Sequence, residues 1–168
     1  FDCVVGVSNA SLQVRKGEIF CIMGLSGSGK STLIRMFNRL IDPTGGSIRI
    51  KGQNLMQLDA KGLRAMRAKH IGMVFQAVAL LPHRNVLENA AFGLEVQGMG
   101  KAQRHEIASK ALAKVGLSDW AHKFPRELSG GMQQRVGLAR AIAADPEIIF
   151  FDEPTTGLDP IMADVINN

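Results

Sequence analysis

Three short stretches of the chain are almost continuously apolar: Ile19 to Met23, Ile71 to Phe75 and Ile148 to Phe151. Runs of this length between polar or glycine neighbours predict parallel strands buried on both faces. Leu12 with Val14, and Ile48 with Ile50, alternate with polar positions and predict half-buried antiparallel strands. A helical period marks Lys30 to Asn38, Val86 to Leu94, Lys101 to Val115 and Gly130 to Ala143, with a weaker one over Asp59 to Ala68. From about Ala77 to Ala144 there is no clear core strand, so this stretch reads as a helical insertion between two sheet strands. The pattern therefore predicts a single α/β domain over 1–168. Residues 1–76 and 145–168 form its catalytic core, with a mixed sheet and an antiparallel portion, and 77–144 form a helical subdomain.

Phosphate chemistry enters with Gly24-Leu25-Ser26-Gly27-Ser28-Gly29-Lys30-Ser31, a full match to the P-loop pattern G-x-x-x-x-G-K-[ST]. It follows one apolar run and opens a helix, which is the context the pattern requires. Glycines let successive backbone N–H groups turn inward around an anion, and the helix N-terminus adds positive potential. In this reading Lys30 reaches the β- and γ-phosphates, Ser31 binds Mg²⁺ through its hydroxyl, and Thr32 adds a hydroxyl contact to phosphate.

The run Ile148 to Phe151 ends in Asp152-Glu153. Ligands of open α/β sheets bind beyond the carboxyl ends of the strands. Asp152 is placed to assist Mg²⁺, and Glu153 to polarise the attacking water. Gln76 closes the run Ile71 to Phe75 and could bind Mg²⁺ or the attacking water while tethering the segment that follows.

Composition narrows the class. The chain has 168 residues, 46% hydrophobic and 21% charged, enough for a real core. No apolar run approaches the ~18 residues that span a bilayer, and no signal peptide is evident. Cys3 and Cys21 make neither a disulfide framework nor a metal-ligand spacing, which suits a reducing compartment. The net charge of +5 comes from scattered lysines and arginines without aromatic interleaving, the pattern of a solvated surface, and does not predict nucleic-acid binding. A start at Phe1 and an end at Asn168 within a helical pattern are what a fragment would show.

Leu128-Ser129-Gly130-Gly131-Met132-Gln133-Gln134-Arg135 poses a different question. Ser129 is a credible N-cap, but two glycines in the first turn each cost about 1 kcal/mol against alanine. They suggest either close packing on a neighbouring helix or an anion site at a helix N-terminus. Because the P-loop holds its own phosphates, a second anion site implies a second nucleotide. Two copies pairing head to tail would supply one, each presenting Ser129, Gly130 and Gly131 to the other's γ-phosphate.

The signature "LSGGMQQR", the P-loop, Gln76, "FFDEP" and Gly157-Leu158-Asp159-Pro160 occur in an order that resembles the nucleotide-binding domain of ATP-binding cassette (ABC) transporters. The resemblance spans essentially the whole chain. It implies a P-loop NTPase core, ATP with Mg²⁺ as cofactor, a head-to-tail dimer, transmembrane permease subunits as partners, and a peripheral position on the cytoplasmic face of the plasma (inner) membrane. A substrate-binding protein would act indirectly. It places Asp159 in the loop crossing the dimer interface and Phe1 near the aromatic that stacks on adenine. The family's switch histidine follows beyond the range of this chain, which implies weak turnover by these residues alone, and His70, His83, His105 and His122 do not stand in for it.

The wording around the P-loop and Gln76 resembles the quaternary-amine uptake branch, importers of glycine betaine, choline or proline. "DEPTTGLDPIMADVINN" is closer to ABC ATPases of lipid-trafficking systems, which stays as an alternative beside a soluble ABC ATPase without a transport role. Those soluble relatives favour coiled-coil arms, zinc modules or tandem cassettes, none of which this sequence displays. A GTPase is disfavoured because no Asn-Lys-x-Asp motif appears.

Overall fold

Strand-like patterning in the first third of the chain yields less ladder than its alternation implies. In the computed structural model, which describes residues 5–152, the chain divides into two compact units, 1–58 and 59–168. In the first unit, helix α1 spans Lys30–Phe37. A two-residue hairpin pairs β1 (Arg49–Ile50) with β2 (Gln53–Asn54), antiparallel, with Ile50 opposite Gln53. Lys51 (φ 53°) and Gly52 (φ 78°) form the turn. Two successive positive φ values match the twist of a tight hairpin, and glycine takes the second at little cost.

The other strands expected here are not formed. Residues 11–15 and 19–23 have no assigned ladder, and Leu12, Val14, Ile19, Phe20 and Met23 are all exposed. Alternation and apolarity report a face that suits burial. A ladder also needs a neighbouring backbone in register, which periodicity does not encode. The hairpin forms because its partner lies two residues away.

The second unit opens with α2 (Ala60–His70), where Asp59 caps the N-terminus by accepting from the Gly62 N–H at 2.7 Å. It leads directly into β3 (Ile71–Val74). This strand pairs in parallel with β4 (Ile148–Phe151), Ile71 opposite Ile148 and Val74 opposite Phe151. The parallel reading of these two runs holds. Burial on both faces does not: β4 is half-buried along its whole length, in a ladder that has two strands among the described residues.

Between the strands lie helices. The predicted 86–94 element is two short helices, α3 (Val86–Ala90) and α4 (Phe92–Val96), which meet at Ala91. Then come α5 (Lys101–Lys114) and α6 (Gly130–Ala143). Asn85 and Glu88 form a reciprocal capping box on α3. The core cluster joins Val86, Ala90 and Leu94 to Ala108 and Leu112 of α5, Val136, Leu138 and Ala139 of α6, and Val74 of β3. Alanines at 108, 111 and 139 let the helices approach closely, while fully buried leucines such as Leu112 contribute roughly 1.5–3 kcal/mol each. Among the described residues no helix is long and apolar enough to cross a membrane.

One polar residue sits at the centre of this packing. Asn89 is fully buried, and its amide is saturated: Nδ2 donates to the carbonyls of Leu81 (3.1 Å), Arg84 (3.0 Å) and Asn85 (3.0 Å), while Oδ1 accepts from the Leu81 N–H (2.7 Å). Asn89→Leu keeps the volume but strands these backbone groups in a dry site. It should lower unfolding stability by about 2–4 kcal/mol in urea titration, and a midpoint matching the parent would show that water replaces the amide.

Candidate functional site

The phosphate loop draws its geometry from glycine. Gly27 (φ 79°) and Gly29 (φ 89°) occupy the left-handed region, and Gly29 is the residue on which α1 begins. A Cβ on Gly29 would collide with the Gly6 carbonyl oxygen, and one on Gly24 would stand 2.6 Å from Ser28 Oγ. The turn is therefore closed by backbone, with the Ser28 N–H donating to the Leu25 carbonyl (3.2 Å).

No side chain caps α1, and its first turn carries no acidic residue. The Leu33 N–H donates to the Gly29 carbonyl (2.9 Å), so the helix's own hydrogen-bond ladder starts after the first-turn amides of Ser31 and Thr32. Lys30 curls over the loop, Nζ donating to the carbonyls of Gly24 and Leu25, each at 2.8 Å. A cavity of about 420 Å³ lies against this turn, lined among others by Val5, Val7, Met23, Ser28 and Lys30. Concave space, backbone donors and one ammonium are features that suit a phosphate chain. Ser26 and Ser28 are exposed, while Ser31 and Thr32 are half-buried in the first turn of the helix.

In the second unit, Gln76 and Asp152 follow the carboxyl ends of the paired strands β3 and β4. The Asp152 N–H extends the pairing by donating to the Val74 carbonyl (2.9 Å), and its side chain is buried, whereas Gln76 is exposed. The structure thus brings these two predicted residues to one end of one ladder. Oxygen donors of this kind suit a hard divalent cation such as Mg²⁺. Glu153, Phe1 and Asp159 lie outside the described residues.

Sequence reasoning passed over how the segment after Gln76 is held. Besides Asn89, which pins 81–85, Arg140 of α6 donates from Nη1 to the Ala79 carbonyl (3.0 Å) and from Nη2 to the Val78 carbonyl (2.8 Å). Burial lowers the pKa of the Arg140 guanidinium from its ordinary value. The available signals were an asparagine inside the apolar pattern of 86–94 and an arginine in a stretch otherwise apolar over 136–143.

Helix α6 begins as predicted. Ser129 caps it, Oγ accepting from the Met132 N–H (3.3 Å). Gly130 and Gly131 are exposed, and among the described residues a Cβ on either would meet nothing within 4 Å. Packing on a neighbouring helix among the described residues therefore does not account for them.

A glycine-turned loop that feeds an uncapped helix, in a chain with parallel strands and inserted helices, defines a P-loop NTPase. More narrowly, the chain belongs to the ABC transporter family, which matches residues 7–156. It is 53% identical over 158 residues to the glycine betaine/proline betaine transport system ATP-binding protein ProV of Escherichia coli (strain K12), covering 94% of this chain and 40% of that protein. Identity is 54% over 158 residues to the glycine betaine transport ATP-binding protein OpuAA of Bacillus subtilis (strain 168), covering 94% and 38%. The chain thus spans about two fifths of the length of these relatives. Among solved structures it resembles MJ0796, a bacterial ABC transporter cassette, in its dimeric form, with TM-score 0.88, 38% identity, and coverage of 96% of this chain and 71% of that one. A post-hydrolysis dimer of the same cassette bound to ADP and Pi gives TM-score 0.87 at 38% identity.

The two kinds of glycine should respond oppositely to alanine. Gly131→Ala adds a methyl group in open space and should leave thermal stability unchanged or raise it by up to ~1 kcal/mol. Gly29→Ala combines a left-handed backbone with a carbonyl collision and should lower stability by at least about 1–2 kcal/mol. Calorimetric unfolding of both variants checks the contrast.

Proposed function

We propose that this chain is the ATP-binding and ATP-hydrolysing motor of a membrane transporter that imports small quaternary amines of the glycine betaine, choline or proline betaine type. The observation that carries the nucleotide reading is the uncapped start of α1, entered through Gly29 with Lys30 folded over the same loop. Support for the substrate class comes from the relatives' names, which concern glycine betaine and proline betaine transport.

In this reading the amides after Gly24 and at the start of α1, with the hydroxyls of Ser26, Ser28 and Thr32, hold the β- and γ-phosphates. Lys30 moves from loop carbonyls to phosphate oxygens. Mg²⁺, when bound, neutralises charge developing on those oxygens. Ser31, Gln76 and Asp152 are the residues to hold it. Glu153 accepts a proton from the attacking water, and Phe1 stacks on adenine.

The open glycines at 130 and 131 favour a second copy as partner: each signature would face the γ-phosphate bound by the other subunit. The helices between β3 and β4 would form the 77–144 subdomain. At the cytoplasmic face of the membrane, Gln76 and the segment to Val86 would pass closure to transmembrane permease subunits, with a substrate-binding protein as an indirect partner.

Removing the ammonium or the metal hydroxyl tests the loop directly. Lys30→Ala and Ser31→Ala should each weaken Mg-ATP binding at least about tenfold by titration calorimetry, a change near 1.4 kcal/mol; parental affinity in both would rule the phosphate assignment out.

Dimer formation is tested separately. Glu153→Gln should bind Mg-ATP normally, hydrolyse it at least about a hundredfold more slowly, and accumulate as an ATP-bound dimer in light scattering. Adding Gly131→Asp should abolish that dimer without changing ATP affinity, since the new carboxylate would face phosphate with little water between them. A double variant that still dimerises would contradict the head-to-tail arrangement.

A further inference from the structure

Arg140 lies ten residues along α6 from Gly130, so by the ~1.5 Å rise per residue its backbone is about 15 Å from the signature glycines. Its guanidinium contacts the two consecutive carbonyls of Val78 and Ala79, at 2.8 and 3.0 Å. Successive carbonyls of an extended chain point to opposite sides. Here the turn at Ala79 presents both to one fork, and Ala79 takes φ 47° to do so, a region that alanine rarely occupies. Such an outlier persists only where its surroundings hold it.

A second feature fixes the same segment. Gly137, one turn before Arg140 on α6, has no side chain where Val78 packs: a Cβ there would stand 2.5 Å from Val78 Cγ1. Val78 sits in the gap left by Gly137, while Arg140 grips the carbonyls on either side of the next peptide nitrogen. Lysine has no planar fork with which to hold two carbonyls in this way. The grip falls two and three residues beyond Gln76, on the helix whose other end is Ser129-Gly130-Gly131.

We infer that Arg140 is a positioning residue for Gln76. By locking Val78 and Ala79 onto α6, it makes the Gln76 loop and the signature move as one body. The inference rests on the nucleotide reading and goes beyond it, because it assigns the link between the bound nucleotide's near-side sensor and the surface offered to the second copy. Loss of the lock should leave nucleotide binding by the P-loop intact and uncouple Gln76 from closure.

The test compares the parent with Arg140→Ala, Arg140→Lys and Gly137→Ala. Three measurements are made: Mg-ATP affinity, steady-state hydrolysis, and amide hydrogen exchange over residues 76–81. Arg140→Ala should keep KM for ATP within about twofold and lower kcat about tenfold or more. Exchange over 76–81 should speed up about tenfold while β3 and α5 keep their protection. Arg140→Lys should fall between Arg140→Ala and the parent, and Gly137→Ala should speed exchange in the same segment with Arg140 still present.

Parental exchange over 76–81 in Arg140→Ala overturns the inference, as does an Arg140→Lys protein indistinguishable from the parent. So does a kcat that falls only in proportion to the folded fraction. If the parent binds Mg-ATP through Lys30 and Arg140→Ala speeds exchange without changing kcat, the positioning role fails and the nucleotide reading stands. A parent that binds no Mg-ATP overturns both.

Discussion

The close approach of α6 to β3 and to the loop leaving it is the contact on which the second unit depends. It is possible only because side chains are missing at two places. A Cβ on Gly72 would come within 2.9 Å of Pro146 Cγ and 3.3 Å of the Ala141 carbonyl oxygen, and one on Gly137 would overlap Val78. Between these points α6 lies close against the strand, and its buried small residues let α3 and α5 pack on its other sides. Helix interiors close-packed in this way transmit displacement and do not absorb it. The same rod that completes the core thus also fixes where its N-terminal glycines are held.

Buried polar groups follow from that packing. The backbone from Val78 to Asn85 has few ladder partners of its own, yet it runs against the helical core, and unsatisfied backbone groups there would cost more than the packing gains. Asn89 and Arg140 answer this from two helices, one for each end of the segment. Arg140 is held in spite of burial that disfavours its charge, because two carbonyl dipoles take the place of water. A segment tied this way has a defined position without being a strand or a helix.

The phosphate loop works on a different principle. Its donors are backbone amides, its shape comes from glycines in left-handed conformations, and one lysine supplies the charge. All of it lies within eight consecutive residues, so little of the remaining fold is needed to specify it. The signature is local too, but among the described residues its glycines meet nothing within 4 Å.

What the sequence determined by itself was therefore whatever is encoded at short range: the P-loop, the Ser129 cap, the start and end of α6, and the parallel-strand character of 71–75 and 148–151. Each depends on residue types a few positions apart, where backbone preference and hydrogen-bond reach decide the outcome. Only the tertiary structure decided that Leu12, Val14 and Ile19 to Met23 carry no assigned ladder, that β4 is half-buried, and that Asn89 and Arg140 hold the segment after Gln76. Those outcomes turn on which backbones become neighbours. The Arg140 contacts span 61 and 62 residues of chain, a separation over which the order of side chains carries no distance information.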